Sequence, residues 1–60
     1  MSSDYYGNEV EIGDTVTKVG SSGEYVVTNI LYGGDQVEIE GIEDISISQT
    51  VNTNNVIKIG

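Results

Sequence analysis

The chain has 60 residues, ten carboxylates and two lysines, which give a formal net charge of −8 and a sequence pI of about 4.1. A chain of roughly 60 residues buries only about 60% of the surface that it exposes when unfolded, so one domain with a thin core is expected. Cys and His are absent, which excludes disulfides, zinc fingers, thiolate nucleophiles and the usual general base. We therefore expect a protein that is not an enzyme and that uses no cofactor.

The negative charge also restricts the class of partner. Nucleic-acid binding draws most of its affinity from Lys and Arg that neutralise phosphates, and Lys18 and Lys58 cannot supply it. Anionic membrane surfaces should repel the chain, and no apolar run approaches the roughly 18 residues of a membrane span. We expect no nucleic-acid partner and no membrane partner, with a soluble, cytoplasmic protein as the default.

The composition favours strands over helices. Eight Val, eight Ile and five Thr make 21 of the 60 residues, and four Tyr raise the total to 25. β-branched and aromatic side chains fit a pleated, half-buried surface better than a helix. Alternation of apolar and polar residues recurs, whereas no window has apolar residues at helical spacing over three turns. The predicted fold class is all-β.

Turn residues divide the chain into six candidate strands. In chain order these strands cover residues 9–12, 15–19, 24–32, 36–40, 45–48 and 56–59. The third is apolar on both faces, which is typical of the central, bent strand of a barrel. Residues 33–35 predict a tight hairpin turn because glycine readily adopts positive φ. The polar residues 49–55 are expected to form a loop with room for one 3₁₀ turn.

Short strands separated by regular turns predict a small closed barrel or a pair of packed sheets. We assign residues 9–60 to this single domain and residues 1–8 to a flexible N-terminal arm. The predicted core has ten members, all Val or Ile: Ile12, Val16, Val27, Ile30, Val37, Ile39, Ile45, Ile47, Val56 and Ile59. Tyr25 and Tyr32 are expected at the margins of this core.

Three segments carry a resemblance to SH3-like small barrels. Residues 12–16 (IGDTV) resemble the G-D-x-V opening of KOW-type and related barrels. Residues 23–27 (GEYVV) place a glycine before a long second strand, and residues 54–59 (NNVIKI) are similar to the short turn and closing strand of those domains. The resemblance covers residues 12–59 and implies an SH3-like barrel of five or six short antiparallel strands.

A weaker, local resemblance concerns residues 51–55 (VNTNN). They look like the segment before the last strand of photosystem I reaction-centre subunit IV, another SH3-like barrel of similar length. Members of that family present a basic face to ferredoxin and to the photosystem core. This chain is more acidic and has no arginine. The resemblance implies a photosystem accessory protein as an outside alternative.

The densest acidic stretch lies between residues 35 and 44. Its five carboxylates belong to Asp35, Glu38, Glu40, Glu43 and Asp44. Alternation places Glu38 and Glu40 on the outer face of one strand. A solvated face that keeps the protein soluble is the main interpretation. Weak divalent-cation binding, by analogy with oxygen-rich Ca²⁺ sites, and an acidic docking patch for a basic partner are the alternatives.

Tyr5, Tyr6, Tyr25 and Tyr32 are the other candidate binding residues. The first two lie outside the clear strands, and the last two bracket the central strand. Tyrosine combines apolar area with a hydroxyl group and is enriched at interfaces. The competing interpretation is that these tyrosines cover the core, because the chain has no Phe or Trp to fill it.

The leading hypothesis is a non-catalytic protein-binding or assembly module. It would dock onto a protein partner, or onto a second copy, through tyrosine-bearing loops and an exposed sheet edge. The alternative is an acidic inhibitor or nucleic-acid mimic of the phage type, whose charge speeds encounter with a basic groove of a host protein. Adaptation to high salt is a third explanation of the acidity.

Overall fold

Five antiparallel strands form one sheet in the computed structural model, which describes residues 2–43 and 46–60. In chain order the strands are β1 (Thr15–Lys18), β2 (Glu24–Leu31), β3 (Gln36–Gly41), β4 (Ser48–Asn52) and β5 (Val56–Lys58). Short 3₁₀ turns cover Tyr32–Gly34 and Thr53–Asn55. The all-β class with five strands is confirmed. No helix in the described part of the chain has the length and apolar content needed to span a bilayer.

The strand order in the sheet is β4-β3-β2-β1-β5. β4 and β5 are therefore its two edges, so backbone pairing does not close the sheet into the expected barrel. β2 pairs with β1 through residues 24–26 and with β3 through residues 25–31. A register shift between Val27 and Asn29 marks a bulge, and bulges bend a strand and increase its twist. β2 is thus the central, irregular strand that its two apolar faces predict.

Four strands begin and end within one residue of their predicted bounds, but two predictions were wrong. Residues 9–12 form no strand: a single bridge joins Ser3 to Glu9, and a turn follows. In that turn the Asp14 carboxylate accepts a hydrogen bond from the Glu11 N–H at 2.7 Å. The predicted strand at 45–48 begins instead at Ser48 and runs through polar residues assigned to a loop. Residue 45 lies outside the described residues.

Six apolar side chains form the buried core. They are Val10, Val16, Val27, Val37, Ile39 and Val56. Five belong to the predicted set. Val10 was missed; its N–H donates to the Ser2 carbonyl oxygen at 2.6 Å, so the N-terminal segment joins the folded unit. Ile30 packs against this core from its margin, together with Tyr25 and Val51.

The predicted core positions Ile12, Ile47 and Ile59 were wrong. Their exposed fractions are 62%, 45% and 49%. Each lies just outside a strand, in a turn or beyond a strand end, where the alternation of a strand no longer turns its side chain inward. Tyr32, expected at the core margin, is 77% exposed.

Ile39 and Ile12 provide a matched test of this core. Ile39→Ala should lower the free energy of unfolding by about 2–5 kcal/mol because the site is fully buried and a cavity remains. Ile12→Ala should change it by less than about 0.5 kcal/mol, since that side chain is mostly in solvent. Urea denaturation of the two variants measures both values. Equal losses would contradict the assignment of the core.

Candidate protein-binding surfaces

The N-terminal segment is organised around the side chain of Asp4, which is only 3% exposed. Its Oδ1 accepts hydrogen bonds from the backbone N–H groups of Tyr6 (2.9 Å) and Asn8 (2.7 Å). Its Oδ2 accepts one from the Lys58 N–H of β5 at 2.8 Å. Residues 2–8, expected to form an arm, are therefore joined by this carboxylate to the last strand.

The environment of Asp4 keeps it ionised. Burial alone would raise the pKa of this carboxyl, but the backbone N–H donors of Lys58, Asn8 and Tyr6 together outweigh burial and lower its pKa below the ordinary 3.8. Hydrogen bonds from amides stabilise the charged form because their N–H dipoles point at the carboxylate. Asp4 is consequently a buried anion that fixes the loop around it.

Tyr5 and Tyr6 project into solvent from this fixed loop. Their side chains are 57% and 69% exposed. The two ring centroids lie 5.1 Å apart with an interplanar angle of 81°, an edge-to-face arrangement that aromatic pairs favour. The Tyr5 N–H donates to the Val56 carbonyl oxygen of β5 at 2.8 Å. The backbone is therefore anchored while both rings remain accessible, and neither ring covers the core.

Tyr32 occupies a second loop, between β2 and β3. It has φ +55°, a left-handed conformation that costs a non-glycine residue about 1–2 kcal/mol. The turn is attached to the Thr53–Asn55 turn through Thr53, which is 2% exposed. The Thr53 hydroxyl donates to the Gly34 carbonyl oxygen at 2.6 Å, and its N–H donates to the Asp35 carbonyl oxygen at 2.9 Å. The expected hairpin glycines are present, but nothing in the sequence indicates the left-handed tyrosine.

Tyr25 differs from the other three tyrosines because it is half-buried and packs against the core. The Lys18 Nζ lies 5.4 Å from its ring centroid, within the range of a cation–π contact. Tyr25 also lines a shallow groove between the β1–β2 and β3–β4 connections. The other side chains that line this groove are apolar, acidic or a hydroxyl: Ile42, Ile47, Glu24, Glu43 and Ser22.

Glu38 and Glu40 lie on the outer face of β3, as alternation predicts. Their partners on β4 are Thr50, which lies opposite Glu38, and Ser48, which lies opposite Glu40. Within residues 2–43 and 46–60, no three acidic side chains come close enough together to hold a metal ion. Asp44 lies outside the described residues. The two glutamates thus form an acidic strip next to an edge strand.

Both lysines have partners on the protein itself. The Lys58 Nζ is 3.3 Å from the Asp14 carboxylate and donates to the Glu9 carbonyl oxygen at 3.2 Å. The Lys18 Nζ donates to the Gln49 side-chain oxygen at 3.3 Å. The positive charges of the chain are therefore drawn into internal contacts, and its surface field is negative.

Comparisons of the chain with protein-family models, curated proteins and solved structures give no match.

Asp4→Asn tests whether the carboxylate organises the N-terminal loop. At neutral pH the variant should lose about 1–3 kcal/mol of unfolding free energy, because an amide NH₂ would face backbone N–H donors. The pKa of Asp4 is depressed in the fold, so its stabilisation is present above the unfolded-state pKa and disappears as the pH falls through the folded-state pKa. The difference between wild type and variant should therefore narrow below about pH 3.8.

The control is Glu11→Gln, which removes an exposed carboxylate from the same part of the chain. Denaturant titrations at several pH values measure all three proteins. A difference between wild type and Asp4→Asn that does not change with pH would show that the ionised form of Asp4 is not what stabilises the loop.

Proposed function

We propose that the chain is a non-catalytic protein-binding module. One observation carries this proposal: Tyr5, Tyr6 and Tyr32 expose 57–77% of their side chains although the chain has no Phe or Trp. Their loops are fixed by buried groups, the Asp4 carboxylate and the Thr53 hydroxyl. Rigid aromatic side chains provide contact area at a low entropy cost on binding.

The backbone of Tyr32 supports a binding role in particular. Glycine or asparagine would suit φ +55° better than tyrosine does. The ring is also 77% exposed, so it adds little to the core. A residue that neither fits its backbone nor fills the interior is typical of a recognition site, where local strain is tolerated.

We infer that the sheet has an SH3-like arrangement. The strand order β4-β3-β2-β1-β5, the bulge in β2 and the 3₁₀ turn before β5 support this inference. In SH3-like barrels, aromatic side chains beside the loops form shallow grooves for peptides. The groove beside Tyr25 and the tyrosines of the two loops are the corresponding candidates here.

A second candidate function is an acidic inhibitor that occupies a basic groove of another protein. It is supported by the charge of −8 and by the internal contacts of both lysines. Such an inhibitor would depend on long-range attraction, which salt weakens, more than on any tyrosine ring. The two candidates therefore predict different effects of salt and of tyrosine substitution.

The test compares the proteins that immobilised variants retain from a lysate of cells that encode the chain, with quantitative mass spectrometry as the readout. At least one protein retained by wild type should fall about tenfold or more with Tyr5→Ser/Tyr6→Ser or with Tyr32→Asn, as expected for loss of aromatic anchors. Tyr5→Phe/Tyr6→Phe, which keeps the rings, is the matched control. Thermal unfolding should show that all variants remain folded, since these side chains are exposed.

Identical retention by wild type and by the serine and asparagine variants would contradict the tyrosine-based proposal. If retention is also lost on raising the salt from about 0.05 to about 0.5 M, the acidic inhibitor is the better description, because screening removes the attraction between exposed charges.

A further inference from the structure

The outer edge of β4 carries backbone hydrogen-bonding groups that do not bond to β3. The Gly41 N–H donates to the Ile47 carbonyl oxygen, and the Thr53 N–H donates to the Asp35 carbonyl oxygen, each at 2.9 Å. In an antiparallel pair, hydrogen-bonded and non-hydrogen-bonded positions alternate. Given the register of β3 and β4, the odd-numbered residues of β4 bond to β3. The N–H and C=O groups of Ser48, Thr50 and Asn52 therefore point away from the sheet.

Nothing in the described part of the chain pairs with those outward groups. The N-terminal segment makes its contacts at the opposite side of the sheet, along β5. There the Val56 carbonyl oxygen accepts from the Tyr5 N–H, and the Lys58 N–H donates to the Asp4 carboxylate, both at 2.8 Å. Among residues 2–43 and 46–60, the edge at β5 is thus covered and the edge at β4 is open.

β4 also lacks the features that usually protect an edge strand. Such strands carry Lys or Pro, or contain a bulge, which discourages pairing with another chain. The sequence of β4 is SQTVN, and its register with β3 is continuous over five residue pairs. Its side chains at 48, 50 and 52 are exposed, short and uncharged. The edge is therefore regular, polar and accessible.

We propose that the outer edge of β4 receives an extended, basic segment of a partner protein as an additional strand. This inference rests on the proposed protein-binding function and names the edge and the chemistry of the partner. Addition of a strand to a sheet edge is an established mode of peptide recognition, in which main-chain hydrogen bonds provide affinity. Side chains at alternate positions then provide specificity.

The acidic strip on β3 determines the charge of that segment. Glu38 and Glu40 lie one strand inward from β4, on the face to which Thr50 and Ser48 also point. Neighbouring strands lie about 4.8 Å apart, so an added strand would be roughly 10 Å from β3. Lys and Arg side chains are long enough to extend over the short residues of β4 toward the two carboxylates, of which that of Glu38 also accepts a hydrogen bond from the Thr28 hydroxyl of β2 at 3.4 Å. Basic residues at every second position of the segment therefore match this surface.

A second copy of the chain fits the same edge less well. Each copy carries a charge of −8, and pairing of two β4 strands would bring two acidic strips onto one continuous face. Like charges on one face oppose association, whereas a basic segment is attracted. The partner is therefore a different protein with a positively charged, extended stretch.

The test uses a ten-residue synthetic peptide of alternating Arg and Thr, titrated into the full chain labelled with ¹⁵N. Strand addition should slow hydrogen exchange of the Ser48, Thr50 and Asn52 amides on peptide binding. The Gln49 and Val51 amides, which already bond to β3, should change little. N-methylation of one alternating set of peptide amides should abolish binding, whereas methylation of the other set should leave it within about threefold, because only one set faces the edge.

Two pairs of protein variants complete the test. Thr50→Pro removes an outward N–H without removing a bond to β3, and should weaken binding about tenfold or more, whereas Thr50→Val keeps that N–H and should bind like wild type. Glu38→Gln/Glu40→Gln should weaken binding about fivefold or more, and Glu11→Gln should not. If Thr50→Pro fails to fold, the N-methylated peptides still decide the question because they leave the protein unchanged.

Three outcomes would overturn the proposal. In the first, both N-methylated peptides bind as well as the parent peptide. Backbone hydrogen bonds would then be dispensable, and the peptide would be held by its charge alone. In the second, no basic peptide binds, although wild type still retains a protein from the lysate in a tyrosine-dependent way. That result would leave the proposed protein-binding function intact but remove the edge site. In the third, the β4 amides become protected without peptide as the protein concentration rises, which would identify a second copy as the occupant.

Discussion

A hydrogen-bonded carboxylate connects the two ends of this short chain. Asp4 accepts from Lys58, 54 residues away, and from two amides of its own loop. This contact covers the edge of β5, brings Ser2 within reach of the Val10 N–H and fixes the backbone that presents Tyr5 and Tyr6. A buried anion is tolerated here because three N–H donors replace its water.

The two edges of the sheet consequently have different properties. At β5 the N-terminal segment occupies outward backbone groups, so that edge is not available to a partner. At β4 the corresponding groups, beside Glu38 and Glu40, have no backbone partner in the described part of the chain. The exposed tyrosines and the open edge are both features that add little to the stability of a thin core, and both provide places where another protein can bind.

The sequence indicates four of the five strands, including the edge strand β5, but not the polar edge strand β4. Glycine-containing turns and apolar alternation indicate β1, β2, β3 and β5. Each of these strands turns at least one valine inward: Val16, Val27, Val37 and Val56, respectively. β4 gives no such signal, since a polar edge strand depends mainly on backbone pairing with β3. The role of Asp4 depends on a contact across almost the whole chain, which local pattern does not reveal. The sequence marks Tyr5, Tyr6 and Tyr32 as candidates by residue type alone, whereas their exposure is a consequence of tertiary structure.

Hydrogen exchange of individual amides in the free protein, followed by NMR, tests the difference between the two edges most directly. The Lys58 amide, which donates to Asp4, should exchange slowly although it points outward from the terminal strand β5. The Thr50 amide should exchange at nearly the rate of an unfolded peptide, because no group in the described chain accepts its hydrogen bond. Equal protection of these two amides in dilute solution would contradict one covered edge and one open edge.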